Sequence, residues 1–414
     1  MEIEELFERH QSVATAGFSA DAYKPGLDSM KRLDGILGRP SASFPSIHVA
    51  GTNGKGSVSS MLAAALAAGG MRVGLYTSPH LVDFRERMKV ISGDGFEMIS
   101  REDVHLFLDS YEADTEGMTF FEVTTGMAFW WFSRQDVDIA VIEVGLGGRL
   151  DCTNIITPEL SIITSIGLDH CALLGDSRAE IAAEKAGIFK PGVPALVWGH
   201  DDETDPVFER IASEVRCPLL FADCLPPVDD ATAWSLDLKS PCQRDNLRTV
   251  LCALEILGEE ADMEAIRHTA EITGLHGRWE HIPAVTPSGR KVSFILDIGH
   301  NPDALKANFS GEEGAGVIVY GVMADKDYRT NITLLPEDAE FILCAPDTPR
   351  ALPVKALHEA FNELAPGGRV TEAPSVANAV RLALQAADTQ NCDRILIIGS
   401  TFVVSEAITN ISRL

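Results

Sequence analysis

The segment SIHVAGTNGKGS (46–57) places Gly51, Thr52, Asn53, Gly54, Lys55, Gly56 and Ser57 between a short apolar run and a helix-like stretch at 58–68. A glycine-rich turn joining a strand to a helix N-terminus presents backbone N–H groups to an anion, and a lysine adds a full positive charge. The pattern reads as a cradle for nucleotide phosphates. Gly56 separates Lys55 from Ser57, whereas the usual phosphate loop sets Ser or Thr directly after its lysine. Three more polar residues close apolar runs: Ser78 in TSPHL, Glu143 in DIAVIE and His170 in ITSIGLDH. Hydroxyl, carboxylate and imidazole together form a mixed donor set for Mg2+ or Mn2+. Each also has a plain structural reading, as a turn residue, a helix cap or a hydrogen-bonded histidine.

Positioning such groups requires a scaffold, and apolar runs alternate with helical stretches in the manner of a parallel sheet wrapped by helices. Strands are expected at 46–50, 72–77, 138–143, 160–166 and 194–197, helices at 58–68 and 122–133, and a hairpin at 88–99 around Gly93, Asp94 and Gly95. In open α/β sheets ligands bind beyond the carboxyl ends of the strands, so four strand ends carrying polar groups point to one crevice. A second alternating set follows, with strands at 291–296, 317–322, 340–345 and 394–398 and helices at 375–386 and 401–411. Pro283, Pro287 and Gly289 interrupt both periodicities. A linker is therefore expected at 283–291, between domains at 1–282 and 292–414.

Composition narrows the function class. The chain has 414 residues, 45% hydrophobic and 23% charged, which is ordinary globular material for two or three domains. No apolar stretch reaches the roughly 18 residues of a membrane span, and residues 1–10 are acidic rather than a basic signal start. A cytoplasmic protein is expected. The eight cysteines form no CxxC pair and read as reduced thiols. A formal charge of −27 argues against a basic nucleic-acid-binding surface.

Collinear segments resemble the folylpolyglutamate synthase and dihydrofolate synthase family, relatives of the Mur ligases: YKPGLDSM (23–30), HVAGTNGKGS, TSPHLVDFRERM (77–88), TFFEVTT (119–125), IEVGLGGRLDCTN (142–154), SIGLDH, AEKAGIFKPG (183–192), CQRDN (242–246), HGRWE (276–280), DIGHNP (297–302) and GVMADKD (321–327). The resemblance implies a P-loop-type, mostly parallel first sheet that binds ATP and pteroate. A smaller Rossmann-like α/β domain for glutamate would follow it. It further implies that Gly54 to Ser57 cradle the ATP phosphates, that Ser78, Glu143 and His170 hold Mg2+ at two sites, and that Asn246, Arg278 and Asp297 contact the nucleotide across the domain junction. Phe121, Glu122, Leu150, Asp151, Cys152 and Thr153 resemble the pterin end of the substrate site, where a carboxylate suits the pterin N–H donors and Phe121 its flat face. Arg85 and Arg87 would meet the anionic folate tail, and His300 and Ser400 the glutamate.

Lys185 would sit beside the metals, and the resemblance implies its carbamylation, which turns a cation into an anionic ligand. Lys55, Glu143, His170 and Lys185 then form the catalytic set of a monomeric ligase. Its partners are ATP, L-glutamate and dihydropteroate or a reduced folate, with no nucleic acid and no membrane. Cys242, DIGHN and GSTFVVSEAI depart from the family pattern and leave the adenine and amino-acid contacts open. Two other readings stand beside this one: a Mur-type amino-acid ligase of peptidoglycan synthesis and a non-catalytic nucleotide-binding switch.

Overall fold

A computed structural model describes residues 10, 24–93, 95–229, 232, 235–310, 316–365 and 368–413; Tyr23 and Asp94, named above within motifs, lie outside them. The strands are β1 Ser46–Ala50, β2 Val73–Tyr76, β3 Met88–Ser92, β4 Gly95–Met98, β5 Ile139–Glu143, β6 Leu160–Ile163, β7 Ala195–Val197, β8 Leu219–Phe221, β9 Arg278–Val285, β10 Lys291–Asp297, β11 Val317–Tyr320, β12 Glu340–Leu343, β13 Arg369–Glu372 and β14 Arg394–Ile398. They form an eight-stranded sheet ordered β4-β3-β2-β5-β1-β6-β7-β8 and a six-stranded sheet ordered β13-β12-β11-β14-β10-β9. Among the described residues the β2/β3, β3/β4 and β9/β10 ladders are antiparallel and the other ladders parallel, and an isolated antiparallel bridge joins Met323 to Ala351.

The chain divides into two compact units. One comprises Met1–His80, Phe84–Asp237 and Gln243–Leu275; the other comprises Leu81–Asp83, Leu238–Cys242 and His276–Leu414. The expected linker at 283–291 is instead a hairpin of the second sheet, in which β9 pairs with β10 and Pro283 stands opposite Ser293. Proline lacks a ladder donor, but β9 is an edge strand, where such a residue is tolerated. The change of unit falls between Leu275 and His276.

In the first unit every residue of β1, β5 and β6 is buried, as both faces of a parallel sheet require. One face packs on the aromatic helix Phe120–Arg134, where Phe129, Trp131 and Phe132 join Tyr76, Ala140 and Ile142. The other holds Ile163, Val197, Phe189 and Phe208. Helix Lys55–Ala68, rich in alanine, is buried from Gly56 to Ala67, the pattern of a core helix rather than an amphipathic one. No helix among the described residues is long and apolar enough to cross a membrane.

Within this core His48 of β1 is fully buried, and burial, with a smaller contribution from Lys190, pushes its imidazole from 6.5 down to about 3. The unfolded chain takes up this proton near pH 6.5, the folded one only near pH 3. The first unit therefore keeps its full stability above pH 6.5 and loses on the order of 4 kcal/mol to this one residue as the pH falls to 3. Urea unfolding from pH 7 to pH 4 is expected to show a shallower acid decline in His48→Gln than in the unaltered protein.

Candidate active site

β2, β5, β1 and β6 are neighbours and run parallel, with Val49 level with Glu143 and Ala50 level with Ile163. Their carboxyl ends therefore share one edge, which gathers the 51–57 loop, Ser78, Glu143 and the 164–170 segment. The N-terminus of helix Lys55–Ala68 opens from Gly54, at φ 87° and with no side-chain cap. Its first N–H groups have no intrahelical acceptors, and a helix start of this kind suits an anion.

The amides of Thr52 and Asn53 are not part of that cradle: they donate to Ser165 O at 2.7 Å and Ser165 Oγ at 3.1 Å. Thr164 Oγ1 in turn donates to Asn53 O at 2.6 Å. Thr164 and Ser165 thus hold the loop, a role legible only once β6 is known to lie beside β1. A Cβ on Gly51 would lie 1.9 Å from Thr164 Oγ1, and one on Gly54 would lie 2.4 Å from Asn246 Oδ1. Asn246 is buried on helix Gln243–Leu257, donating to Gln243 Oε1 at 2.9 Å, while Gln243 Nε2 reaches Ser57 Oγ at 3.3 Å. Gln243 went unread as a site residue; its i, i+3 spacing from Asn246 is the sequence signal.

Two lysines converge on one oxygen. Lys55 Nζ donates to Gly51 O at 3.1 Å and to Thr52 O at 3.2 Å, and Lys185 Nζ donates to the same Gly51 O at 2.8 Å. Lys185 is buried in the last turn of helix Arg178–Ala186, which the Ser177/Glu180 capping box starts. Burial and then the Lys55 charge bring its amine from 10.5 down to about 7. Glu143 is also buried, and Ser78 N donates to its Oε2 at 3.0 Å. His170, at φ 54°, begins the short helix Cys171–Leu174, with its N–H on Asp169 Oδ1 at 2.9 Å. Among the described residues no group of three or more His, Cys, Asp or Glu could hold a metal. Ser78, Glu143 and His170 fit Mg2+ only if phosphate and water complete the shell, as that hard cation ordinarily permits.

The 145–155 loop turns on Asp151. Its Oδ2 accepts from Gly145 N at 3.1 Å and Leu146 N at 2.9 Å, and its Oδ1 accepts from Thr153 N at 3.0 Å and Thr153 Oγ1 at 2.5 Å. Burial raises the carboxyl while these donors oppose the rise. A ligand donor must share an oxygen already bonded within the loop. Cys152 is a buried thiol near Thr125 Oγ1, raised well above its ordinary range by burial. Phe121 lies against Gly145, with its ring 5.9 Å from that of Tyr76. Leu150 lines an open pocket with Pro25, Leu146, Leu173 and Leu174.

Two expectations are corrected. Glu122 does not face a ligand: its Oε2 accepts from Thr119 N and Oγ1 in a helix capping box, and its Oε1 accepts from Ser29 Oγ. A carboxylate three residues after a threonine at a helix start satisfies otherwise orphaned donors, and that local demand decides its place. Arg87 is not presented toward an anionic tail either. It is 5% exposed, donates from Nε to His80 Nδ1 at 2.8 Å and stands 5.3 Å over the Phe120 ring. The half-exposed Arg85 remains at the surface.

In the second unit Asp297 accepts from Trp279 N, Gly299 N and Asn308 Nδ2 at 3.1, 2.8 and 2.7 Å, which sets the bulge opposite Arg278. β10 and β14 are parallel neighbours, and Gly399 N donates to Gly299 O at 3.1 Å, so His300 and Ser400 share one sheet edge. His300 Nδ1 bonds Ile298 O at 2.9 Å, and Asn331 Nδ2 holds the His300 carbonyl at 2.9 Å. Ser400 Oγ caps helix Thr401–Ile411 by accepting from Phe402 N.

Residues 49–240 match the Mur ligase middle domain and residues 277–401 the Mur ligase, glutamate ligase domain. The probable bifunctional folylpolyglutamate synthase/dihydropteroate synthase of Haloferax volcanii is 34% identical over 94% of this chain and 49% of its own length. The chain thus spans about half the length of that relative. The dihydrofolate synthase/folylpolyglutamate synthase of Escherichia coli K12 is 33% identical over 86% of this chain and 84% of its own. The structure of Mycobacterium tuberculosis folylpolyglutamate synthase complexed with ADP superposes with a TM-score of 0.81 at 28% identity, covering 99% of this chain and 97% of that one.

Gly51→Ala puts a methyl group onto Thr164 and is expected to weaken binding of inorganic triphosphate, the anion that the glycine-rich loop suits, at least about tenfold, roughly 1.4 kcal/mol, by calorimetry. The far-ultraviolet circular dichroism should be unchanged.

Proposed function

We propose, for a chain that belongs to the folylpolyglutamate synthase and dihydrofolate synthase family of the Mur ligase superfamily, the ATP-driven ligation of L-glutamate to dihydropteroate and to reduced folates. The observation that carries this reading is the meeting of Lys55 and Lys185 on the Gly51 carbonyl at the edge that also holds Glu143. Lys55 there is the cation set beside a triphosphate, and Lys185 is the nitrogen that burial keeps from holding a second charge.

ATP lies with its phosphates on the N-terminus of helix Lys55–Ala68, against Gly54, Lys55, Gly56 and Ser57. Its γ-phosphoryl group passes to the pteroate carboxylate, giving an acyl phosphate and ADP. The glutamate amine then attacks the acyl carbon, an amide forms, and inorganic phosphate leaves with the amine proton released to solvent. Ser78, Glu143 and His170 would hold Mg2+, which would neutralise phosphate charge. Lys55 supports the transferring group electrostatically, so catalysis is mainly positioning and charge stabilisation.

The pteroyl group occupies the 145–155 loop and the pocket at Leu150, with Phe121, Cys152 and Thr153 behind it. Arg278, Asp297 and Asn246 serve the nucleotide, and His300 and Ser400 receive the glutamate. Arg87 acts from inside the first unit as a buried cation near Glu143 rather than on the folate tail. Lys185 carries a carbamate: a buried amine brought down to about 7 has a substantial neutral fraction at neutral pH, and that free base adds CO2.

ATP turnover is expected with dihydropteroate plus L-glutamate and with tetrahydrofolate plus L-glutamate, but not with a muramyl nucleotide plus an amino acid. Turnover only in the last mixture would establish the Mur-type reading, and none in any mixture the nucleotide switch. Lys55→Ala should lower turnover at least ~100-fold, the scale of a lost charge on a transferring phosphoryl group. With 13C-bicarbonate, a carbamate carbon resonance is expected in the unaltered protein and absent in Lys185→Met; a spectrum without it would rule the carbamate out.

A further inference from the structure

A histidine at the centre of β1 does a job that its apolar neighbours Ile47 and Val49 could not. His48 is fully buried, its Nε2 lies 2.9 Å from Thr153 Oγ1, and its Nδ1 is buried with no hydrogen-bond partner. Thr153 Oγ1 stands 2.5 Å from Asp151 Oδ1. Asp151 also accepts from three backbone amides, those of Gly145, Leu146 and Thr153. All four contacts of the carboxylate are donors, so the single hydroxyl proton of Thr153 points to Asp151. The hydroxyl oxygen must then accept from His48, which fixes the neutral Nε2–H tautomer and leaves Nδ1 the orphan.

An orphaned nitrogen in a packed core is costly, and at position 48 a branched aliphatic residue would pack without that cost. We infer that His48 is a positioning residue for the pteroyl acid: through Thr153 it fastens the Asp151 loop to the strand that launches the phosphate loop. β1 runs from His48 to Ala50 directly into Gly51, so the relay ties the acid-binding loop and the phosphate cradle to one rigid element. Lining up an acid oxygen with a phosphoryl group needs that shared reference. The inference rests on the assignment of the 145–155 loop to the pteroyl acid under Proposed function.

The test compares His48→Phe, Thr153→Val and His48→Gln, whose amide nitrogen can donate where Nε2 does. Loss of one buried hydrogen bond predicts a KM for dihydropteroate raised about fivefold in His48→Phe and Thr153→Val. The KM for ATP in His48→Phe should stay within about twofold, and His48→Gln should restore the dihydropteroate KM to within about twofold. Hydrogen exchange without substrate reads the tether directly: the Gly145, Leu146 and Thr153 amides should exchange faster in His48→Phe and Thr153→Val but not in His48→Gln.

Unchanged dihydropteroate KM and unchanged exchange in both deletion variants overturn the inference. So does an equal rise in both KM values, or a His48→Gln protein that behaves like His48→Phe. Should His48→Phe fail to fold, Thr153→Val against His48→Gln decides by the same criteria. An unaltered protein inert toward dihydropteroate and reduced folates overturns the proposed function, and this assignment with it. That result is distinct from an active protein whose variants show no KM split.

Discussion

Two amines donating to the Gly51 carbonyl constrain everything built around the first sheet edge. Like charges brought to one oxygen repel, and burial leaves little water to screen them. The arrangement persists because burial and the Lys55 charge push Lys185 toward its neutral form. The carbonyl is held in turn by the packing of Gly51 against Thr164, where no side chain fits.

The same economy recurs in the loops. Asp151, Glu122 and Asp297 are buried carboxylates whose oxygens are engaged by local N–H and O–H donors, and each organises a turn that bears other groups. Carboxylates satisfied in this way keep loops rigid without regular structure. A rigid loop between parallel strands can hold a flat ring or a phosphate in register, which is what positioning catalysis needs. The cores beneath, aromatic on one face of the first sheet and aliphatic on the other, supply the fixed frame.

Much of this was legible in the chain. β1, β14 and helix Thr401–Ile411 fall where apolar periodicity puts them, and helix Lys55–Ala68 begins three residues before its expected start because a glycine N-cap tolerates the left-handed turn. β9 was not legible: two prolines and a glycine look like a linker, and only its edge position makes Pro283 harmless. β8 and β13 are three and four residues long and partly exposed, too short to show a period. Arg87 reads with Arg85 as a contact for an anionic tail, and nothing local signals that the chain turns it inward over Phe120.

Sequence by itself determined which chemistry is available: a glycine-rich phosphate loop with its lysine, polar residues at the ends of apolar runs, and an alternation that builds parallel sheets. These are local properties, since hydrogen-bonding capacity, backbone freedom and periodicity belong to short segments. Tertiary structure decided which polar groups remain for a ligand and which are consumed within the protein. Asp151, Glu122 and Arg87 look alike as candidates in the chain, yet Asp151 is closed by its own loop, Ser29 reaches Glu122 from 93 residues away and Arg87 stands over Phe120. Burial and pairing across such distances exist only once strands lie side by side, so the division of labour among charged residues is a property of the packed molecule.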